Sequence, residues 1–189
     1  MAQLNKSLLL GAVPGIALAA LMVFVIPSSA LVGAQNVTTD GLTPHGYVTV
    51  SVTRDGQEIY HNEQHNLITN AGKDFIAAQI GSTSAGSNGA NFIALTTDST
   101  APAATDTTLT GEINSGGLAR AQGTYAHTAG TNTFTVSNTF TATATQTNVQ
   151  KAGLFTASSS GTMMAENTFT AVSLANGDQL TITWTITLS

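Results

Sequence analysis

Large apolar side chains and hydroxylated side chains alternate along several segments of this chain. Near the C-terminus the apolar positions are Leu180, Ile182, Trp184, Ile186 and Leu188, and every residue between them is threonine. Successive side chains of a strand point to opposite faces, so this pattern gives one apolar face and one polar face that can be hydrated. The segment therefore predicts a half-buried β-strand.

The same rule holds between residues 131 and 147. Every odd position there is Thr or Ser, and Phe134, Val136 and Phe140 are among the even positions. Threonine is branched at Cβ and favours the pleated conformation. A second long strand is expected, with a bend or bulge where Asn138 interrupts the apolar face.

Further strands follow from shorter patterns of the same kind. Val48, Val50 and Val52 alternate with polar residues, and Asp55-Gly56 is a typical hairpin turn before a returning strand. The other predicted strands are Glu58–His65, Phe92–Thr97, Leu118–His127, Val149–Ala157 and Thr162–Val172.

One short helix is expected near residues 70–80. Asn70 is a candidate N-cap, Phe75, Ile76 and Ile80 fall on one helical stripe, and Gly81 ends the pattern. The many short strands around this helix predict an all-β fold, an antiparallel β-sandwich of the jelly-roll or Ig-like type.

Residues 1–34 differ in kind from the rest of the chain. Lys6 precedes a wholly non-polar run, Leu8–Ile26, which predicts an N-terminal hydrophobic helix. A weakly positive start, an apolar centre and small residues at the end are typical of a signal peptide. We expect cleavage after Ala34, which leaves Gln35 as the new N-terminus.

A retained membrane anchor is the alternative interpretation of residues 1–34, because about 20 helical residues cross a bilayer. In both cases residues 35–189 form a single β-sandwich domain outside the membrane. We therefore expect an extracellular, cell-surface or virion-surface protein that touches the membrane only through residues 1–34.

Composition narrows the possible functions. The 189 residues include no Cys and 8% charged residues, with a net charge of -5. The lack of Cys excludes disulfides and Cys-ligated metal sites. Five Lys and Arg residues are too few for a nucleic-acid binder that works through a basic patch.

Candidate metal ligands are sparse. His61, Glu63 and His65 share one face of a predicted strand, and a further ligand would have to come from His45 or His127. The two outer members of the trio lie about 13 Å apart along a strand, too far to share one ion. A solvated polar face is the simpler interpretation.

A calcium site is conceivable in the predicted loops, because they carry Asp40, Asp98, Asp106 and Asp178. The D-x-D-x-D-G spacing of a calcium-binding loop does not occur, however. No G-x-S-x-G motif is present either. We expect no enzyme activity and no cofactor. An exported hydrolase that uses His61 or His127 is retained as a third hypothesis.

Lysine chemistry offers one more possibility. Lys73 or Lys151 could form an isopeptide bond with an Asn, assisted by Glu166, as in some surface adhesins. Sequence spacing does not establish such a pairing, and ordinary surface lysines are the simpler interpretation.

Five stretches carry a resemblance to a known family. They are NLITNAGKDFIAAQI, NFIALTTDSTAPAATDTTLTGEI, GLARAQGTYAHTAGTNTFTVSNTFTATA, KAGLFTASSSGTMMAENTF and NGDQLTITWTITL. Through these stretches, residues 66–189 resemble small tail-fibre-like proteins of tailed phages and prophages. The resemblance implies a non-catalytic surface β-domain and carries no catalytic residues. The added export segment departs from that family and fits an archaeal or viral surface protein.

Two functions follow from these observations. The first is a structural or adhesive protein, a subunit of an extracellular filament or virion appendage that self-associates through sheet edges. In such a filament, the segment Gln35–Pro44 would pair with a sheet edge of the neighbouring subunit. The alternative is a secreted module that binds a carbohydrate, such as a cell-surface glycan, or another receptor. Tyr47, Tyr60 or Tyr125 would supply its stacking surfaces.

Overall fold

A computed structural model describes residues 41–83, 85–86 and 88–189. The expected hydrophobic helix, the signal peptide or anchor of residues 1–34, and the processing residues Ala34 and Gln35 lie outside the described residues. The described part contains one helix and two antiparallel sheets, consistent with the predicted β-sandwich.

The first sheet joins the two ends of the described chain. Its strands are β1 (Pro44–Arg54), β2 (Gln57–His65), β6 (Thr124–His127), β7 (Thr133–Thr141) and β10 (Gln179–Leu188). They lie in the order β2-β1-β10-β7-β6. The first long strand therefore pairs directly with the last, from Pro44 opposite Leu188 to Thr53 opposite Gln179.

The second sheet is built from the middle of the chain. Its strands are β3 (Leu67–Ile68), β4 (Phe92–Thr96), β5 (Ala121–Gln122), β8 (Gln146–Phe155) and β9 (Met163–Leu174). They lie in the order β3-β9-β8-β4-β5. The helix α1 (Asn70–Gly81) follows β3 and contacts β9.

The alternation seen in the sequence separates the two faces of the first sheet. Trp184, Ile182 and Leu180 are fully buried in the core between the sheets. The hydroxyls on the other face bond across strands, as in the 2.7 Å contact between Ser137 Oγ and Thr183 Oγ1. The predicted C-terminal strand is confirmed. Of the predicted segment 131–147, residues 133–141 form β7, whereas its last two residues belong to β8 in the second sheet.

The Asp55-Gly56 turn is also confirmed. Both residues have positive φ angles, 51° and 77°. Positive φ at both central residues defines the type I′ turn, whose twist matches that of a two-residue hairpin. Glycine adopts this conformation without steric cost, which explains its position after Asp55.

Two details of the predicted strands are wrong. The register of β7 against β10 runs without a shift through Asn138, which lies opposite Ile182, so no bulge forms there. The predicted strand Leu118–His127 is divided at Gly123, because β5 pairs with the second sheet and β6 with the first. The chain crosses between sheets at this glycine.

The N-cap of the helix lies one residue earlier than expected. Thr69, rather than Asn70, is the N-cap, and its Oγ1 accepts a 2.9 Å hydrogen bond from the backbone N–H of Gly72. The same hydroxyl donates to the carbonyl oxygen of Met163 at 2.6 Å. One buried side chain thus caps the helix and ties it to β9.

The helix lies very close to the second sheet at Gly72. A Cβ atom there would come within 2.1 Å of the carbonyl oxygen of Met164. Backbone atoms cannot move aside as a flexible side chain can. Glycine is therefore required by the close approach of the helix to β9, although it weakens helices elsewhere.

Replacing Gly72 with Ala is expected to destabilise the protein by about 1–3 kcal/mol through overpacking. Gly81→Ala is the matched control, because nothing lies within 4 Å of a Cβ at the last helical residue. That change should be neutral or stabilising. Urea unfolding of both variants measures the difference. Equal stability of Gly72→Ala and the wild type would contradict this packing.

The second sheet is covered on both faces. Its inner face contributes Ile93, Leu95 and Leu154 to the main core. On its outer face, Leu109 from the connection between β4 and β5 packs against Phe155 and its neighbours. This connection therefore also closes a second, smaller apolar cluster.

Candidate functional site

The long edge of the first sheet is protected. It is formed by β2, which carries Glu58, His61, Glu63 and His65. Charged side chains on an edge strand discourage the addition of another strand. In addition, Asn167 Nδ2 donates to the carbonyl oxygen of Gln64 at 3.3 Å. The β2 edge is therefore poorly suited to the addition of another strand.

The opposite edge is open. It is formed by β6, whose four residues, Thr124–His127, are all exposed and include no carboxylate. Tyr125 is 57% exposed, one of the largest exposures of an apolar side chain in the described part of the chain. This edge offers unpaired backbone groups without a charge that would repel a strand.

An apolar groove lies beside β6. The groove has a volume of about 420 Å³, and its walls include Phe75, Ile76, Ile80, Tyr125 and Phe134. None of the described residues that line it is Asp, Glu, His, Lys or Arg. Ile80 is 70% exposed on the helix, so the expected apolar stripe of α1 is only partly covered by the fold.

A second hollow lies on the other side of the helix. It measures about 430 Å³ and is lined by Leu42, Pro44 and Ala77 together with Ile76 and Ile80, which also line the groove. Leu42 is 51% exposed.

A buried charge cluster lies in the second sheet, and we define it as Asp98, Asp106, Lys151 and Glu166. Lys151 on β8 is 3% exposed and Glu166 on β9 is 1% exposed. Lys151 Nζ donates to Asp98 Oδ2 at 2.7 Å and lies 3.9 Å from Glu166 Oε2. Asp98 and Asp106 belong to the connection that covers this face of the sheet.

Backbone groups organise the acidic side of the cluster. The N–H of Ala103 donates to Glu166 Oε1 and to Asp106 Oδ2, at 3.0 Å in each case. Glu166 Oε2 receives no hydrogen bond within the described residues. Burial is the main cause that raises the pKa of Glu166 to about 7, and the hydrogen bond with the Asp106 carboxyl is the second cause. The bond to Glu166 lowers the pKa of Asp106.

These contacts indicate that Glu166 and Asp106 share one proton. Two carboxyl groups can hydrogen-bond only when one is protonated, and the more buried group keeps the proton. The hydrogen bond from Lys151, together with those from the hydroxyl and the N–H of Thr100, lowers the pKa of Asp98 to about 2. Near pH 7 Glu166 therefore exchanges between its carboxylic acid and carboxylate forms, whereas Asp98 and Asp106 are carboxylates.

The pKa of Glu166 predicts that stability falls as pH rises. Between the ordinary glutamate pKa of 4.5 and about 7, the folded state binds more protons than the unfolded state. The free energy of unfolding should therefore decrease across this window, by roughly 3 kcal/mol in full. Glu166→Gln cannot titrate and should show a flatter profile. Urea unfolding from pH 4.5 to 7.5 measures both, and identical slopes would contradict the assignment.

The other candidate residues are not brought together into a site. His61 Nδ1 lies 3.0 Å from Glu58 Oε1, and His127 Nδ1 contacts the carbonyl oxygen of Thr133. His61, Glu63 and His65 share the exposed face of β2. Within the described ranges, no group of three or more His, Asp or Glu side chains is placed to hold a metal ion.

The acidic loop residues have separate surroundings. Asp178 accepts two hydrogen bonds from Arg54, at 2.8 and 2.6 Å, and holds the turn before β10. Asp98 and Asp106 line one polar hollow of about 240 Å³, into which Lys151 also faces. Asp40 lies outside the described residues. The pairing of Asp98 with Lys151 was missed, because only the register places Lys151 opposite Thr96, two residues before Asp98.

Protein-family models, curated proteins and solved structures give no match to this chain. The resemblance to phage tail-fibre-like proteins therefore stays a prediction. Within the part that the structure describes, no helix is long and apolar enough to cross a membrane.

Proposed function

We propose that this protein is a non-catalytic exported structural protein, a subunit of an extracellular filament or virion appendage. The observation that carries the proposal is the open β6 edge beside the apolar groove. An uncharged edge and a continuous apolar surface are typical of sites where another chain adds a strand. The occupant we propose is the N-terminal segment of a second copy.

The contacts of Thr43 and Pro44 limit which residues of the predicted segment can act as the donor strand. Pro44 already pairs with Leu188 in the chain's own sheet, and the N–H of Thr43 donates to the carbonyl oxygen of Ser189. Thr43 and Pro44 are therefore already engaged, and we propose residues 35–40 of the predicted segment Gln35–Pro44 as the donor strand. Six extended residues would span roughly 20 Å, enough to pair with all of β6 in a neighbouring subunit.

Of the two predicted topologies, we propose the jelly-roll type. In an Ig-like domain the first and last strands belong to different sheets. Here β1 and β10 are antiparallel neighbours in one sheet. A jelly-roll domain also suits the proposed role, because this architecture builds many capsid and lectin domains.

Tyr125→Glu should abolish self-association, because it places a charge on the open edge. Ile59→Glu is the matched control, since Ile59 is 51% exposed on the protected edge. Both variants should keep the wild-type melting temperature. Sedimentation and electron microscopy of the full chain measure the polymers. A wild type that stays monomeric at every concentration would contradict the proposal, as would polymers lost only in Ile59→Glu.

Deletion of residues 36–40 tests the proposed occupant separately. It keeps the predicted cleavage junction and should remove polymers while leaving the circular-dichroism spectrum and melting temperature unchanged. Electron microscopy of the full chain carrying this deletion gives the answer. Polymers of normal length and abundance would eliminate the segment as the donor strand.

A ligand-binding module is the second candidate, and Tyr125 is the observation that favours it. Tyr125 is exposed beside a groove of about 420 Å³, a volume within the usual range of ligand sites. Tyr60 is less available, because its hydroxyl donates to the carbonyl oxygen of Thr170. A glycan array and calcium calorimetry distinguish this candidate, since a structural subunit predicts neither glycan nor calcium binding.

A further inference from the structure

Lys151 is a buried amine held against a carboxyl group. Its side chain is 4% exposed, and Nζ lies 2.7 Å from Asp98 Oδ2. Lys151 pairs with Thr96 in the sheet, and the N–H of Asp98 donates to Thr96 Oγ1 at 3.1 Å. Strand register and this turn fix both partners before any reaction.

We propose that Lys151 and Asp98 condense into an intramolecular isopeptide bond, with Glu166 transferring the protons. Lys151 Nζ forms a bond to Asp98 Cγ, and the bond from Cγ to Oδ2 breaks. The ammonium and carboxylate become a secondary amide and one water molecule. Nothing is oxidised or reduced, and no other reactant is needed.

Glu166 lies where a proton shuttle is required. Its Oε2 is buried, lacks a hydrogen-bond donor and is 3.9 Å from Lys151 Nζ. As a carboxylate it accepts one proton from the Lys151 ammonium, which frees the nitrogen lone pair for attack, and passes that proton to Oδ2. After nitrogen adds to Cγ, a second proton follows the same route, so Oδ2 leaves as water and the amide nitrogen keeps one hydrogen. Asp106 is its proton-sharing neighbour, and the N–H of Ala103 fixes both carboxyl groups.

The other oxygen of Asp98 is already stabilised. Oδ1 accepts hydrogen bonds from the N–H of Thr100 at 3.2 Å and from its hydroxyl at 2.8 Å. Negative charge develops on this oxygen when nitrogen adds to Cγ, and positioned donors stabilise such charge. Oδ1 then becomes the carbonyl oxygen of the new amide.

The surroundings favour the neutral product. A buried ammonium–carboxylate pair loses hydration, whereas an amide carries no net charge. Fixed neighbours also react as if at very high concentration. Asp98 is 20% exposed and lines the polar hollow, so the released water has a route to solvent. The bond would tie the base of the covering connection to β8, 53 residues away.

Intact mass spectrometry of the purified full chain under denaturing conditions tests the proposal. The expected mass is lower than the sequence mass by one water molecule. Lys73→Arg is the matched control, because Lys73 is exposed and should leave the deficit unchanged. Lys151→Arg keeps a cation for Asp98 but has no reactive amine, so it should show the full sequence mass.

Trypsin locates the bond. Cleavage after Lys73 and Arg120 isolates residues 74–120, which contain Asp98. A modified Lys151 resists cleavage, so residues 121–189 should stay intact and remain joined to 74–120. Water loss by cyclisation at Asp55-Gly56 would instead appear in residues 55–73, which distinguishes the two products.

Glu166→Gln separates the reaction from folding. This variant keeps the shape of the side chain and should fold, as judged by its circular-dichroism spectrum, but should carry at least tenfold less cross-link than the wild type after equal incubation. Three results would overturn the proposal: a folded wild type at full sequence mass after prolonged incubation, a water deficit outside the joined peptide, or complete cross-linking in Glu166→Gln.

Discussion

The fold depends on burying every second side chain of its long strands in one interior shared by two sheets. Val50, Ile182 and Val136 occupy neighbouring strands and are all fully buried. The intervening hydroxyls satisfy one another or meet water, so the outer face needs few charges to remain hydrated. This arrangement explains how a protein with 8% charged residues and no Cys holds its β-domain together through packing.

The second sheet meets a stricter requirement, because its outer face is also covered. The connection between β4 and β5 supplies Leu109 to the apolar part of that face and Asp98 to the charged part. Burial of Lys151 and Glu166 is costly unless their charges are paired or removed. Proton sharing with Asp106 and the proposed condensation with Asp98 are two ways in which this cost is reduced.

The sequence was most informative where a pattern has one structural meaning. Period-two alternation predicted β10 and β7, although it ran past the end of β7, and Asp55-Gly56 predicted the hairpin, because local chemistry determines both. The helix cap and the division at Gly123 depend on contacts with distant strands, so they were mispredicted. The buried charge cluster depends on register and on a covering loop, which no local pattern encodes. Glu166 and Lys151 were named as candidates for an isopeptide bond with an Asn, and the structure shows that Lys151 donates a hydrogen bond to Asp98.

The central claim is that this β-domain works outside the cell as a structural subunit. N-terminal sequencing of the native protein, recovered separately from the cytosol, the membrane and the extracellular fraction, tests that claim most directly. The account predicts extracellular protein in assemblies whose first residue is Gln35. Full-length protein that begins at Met1 and stays in the cytosol would contradict it.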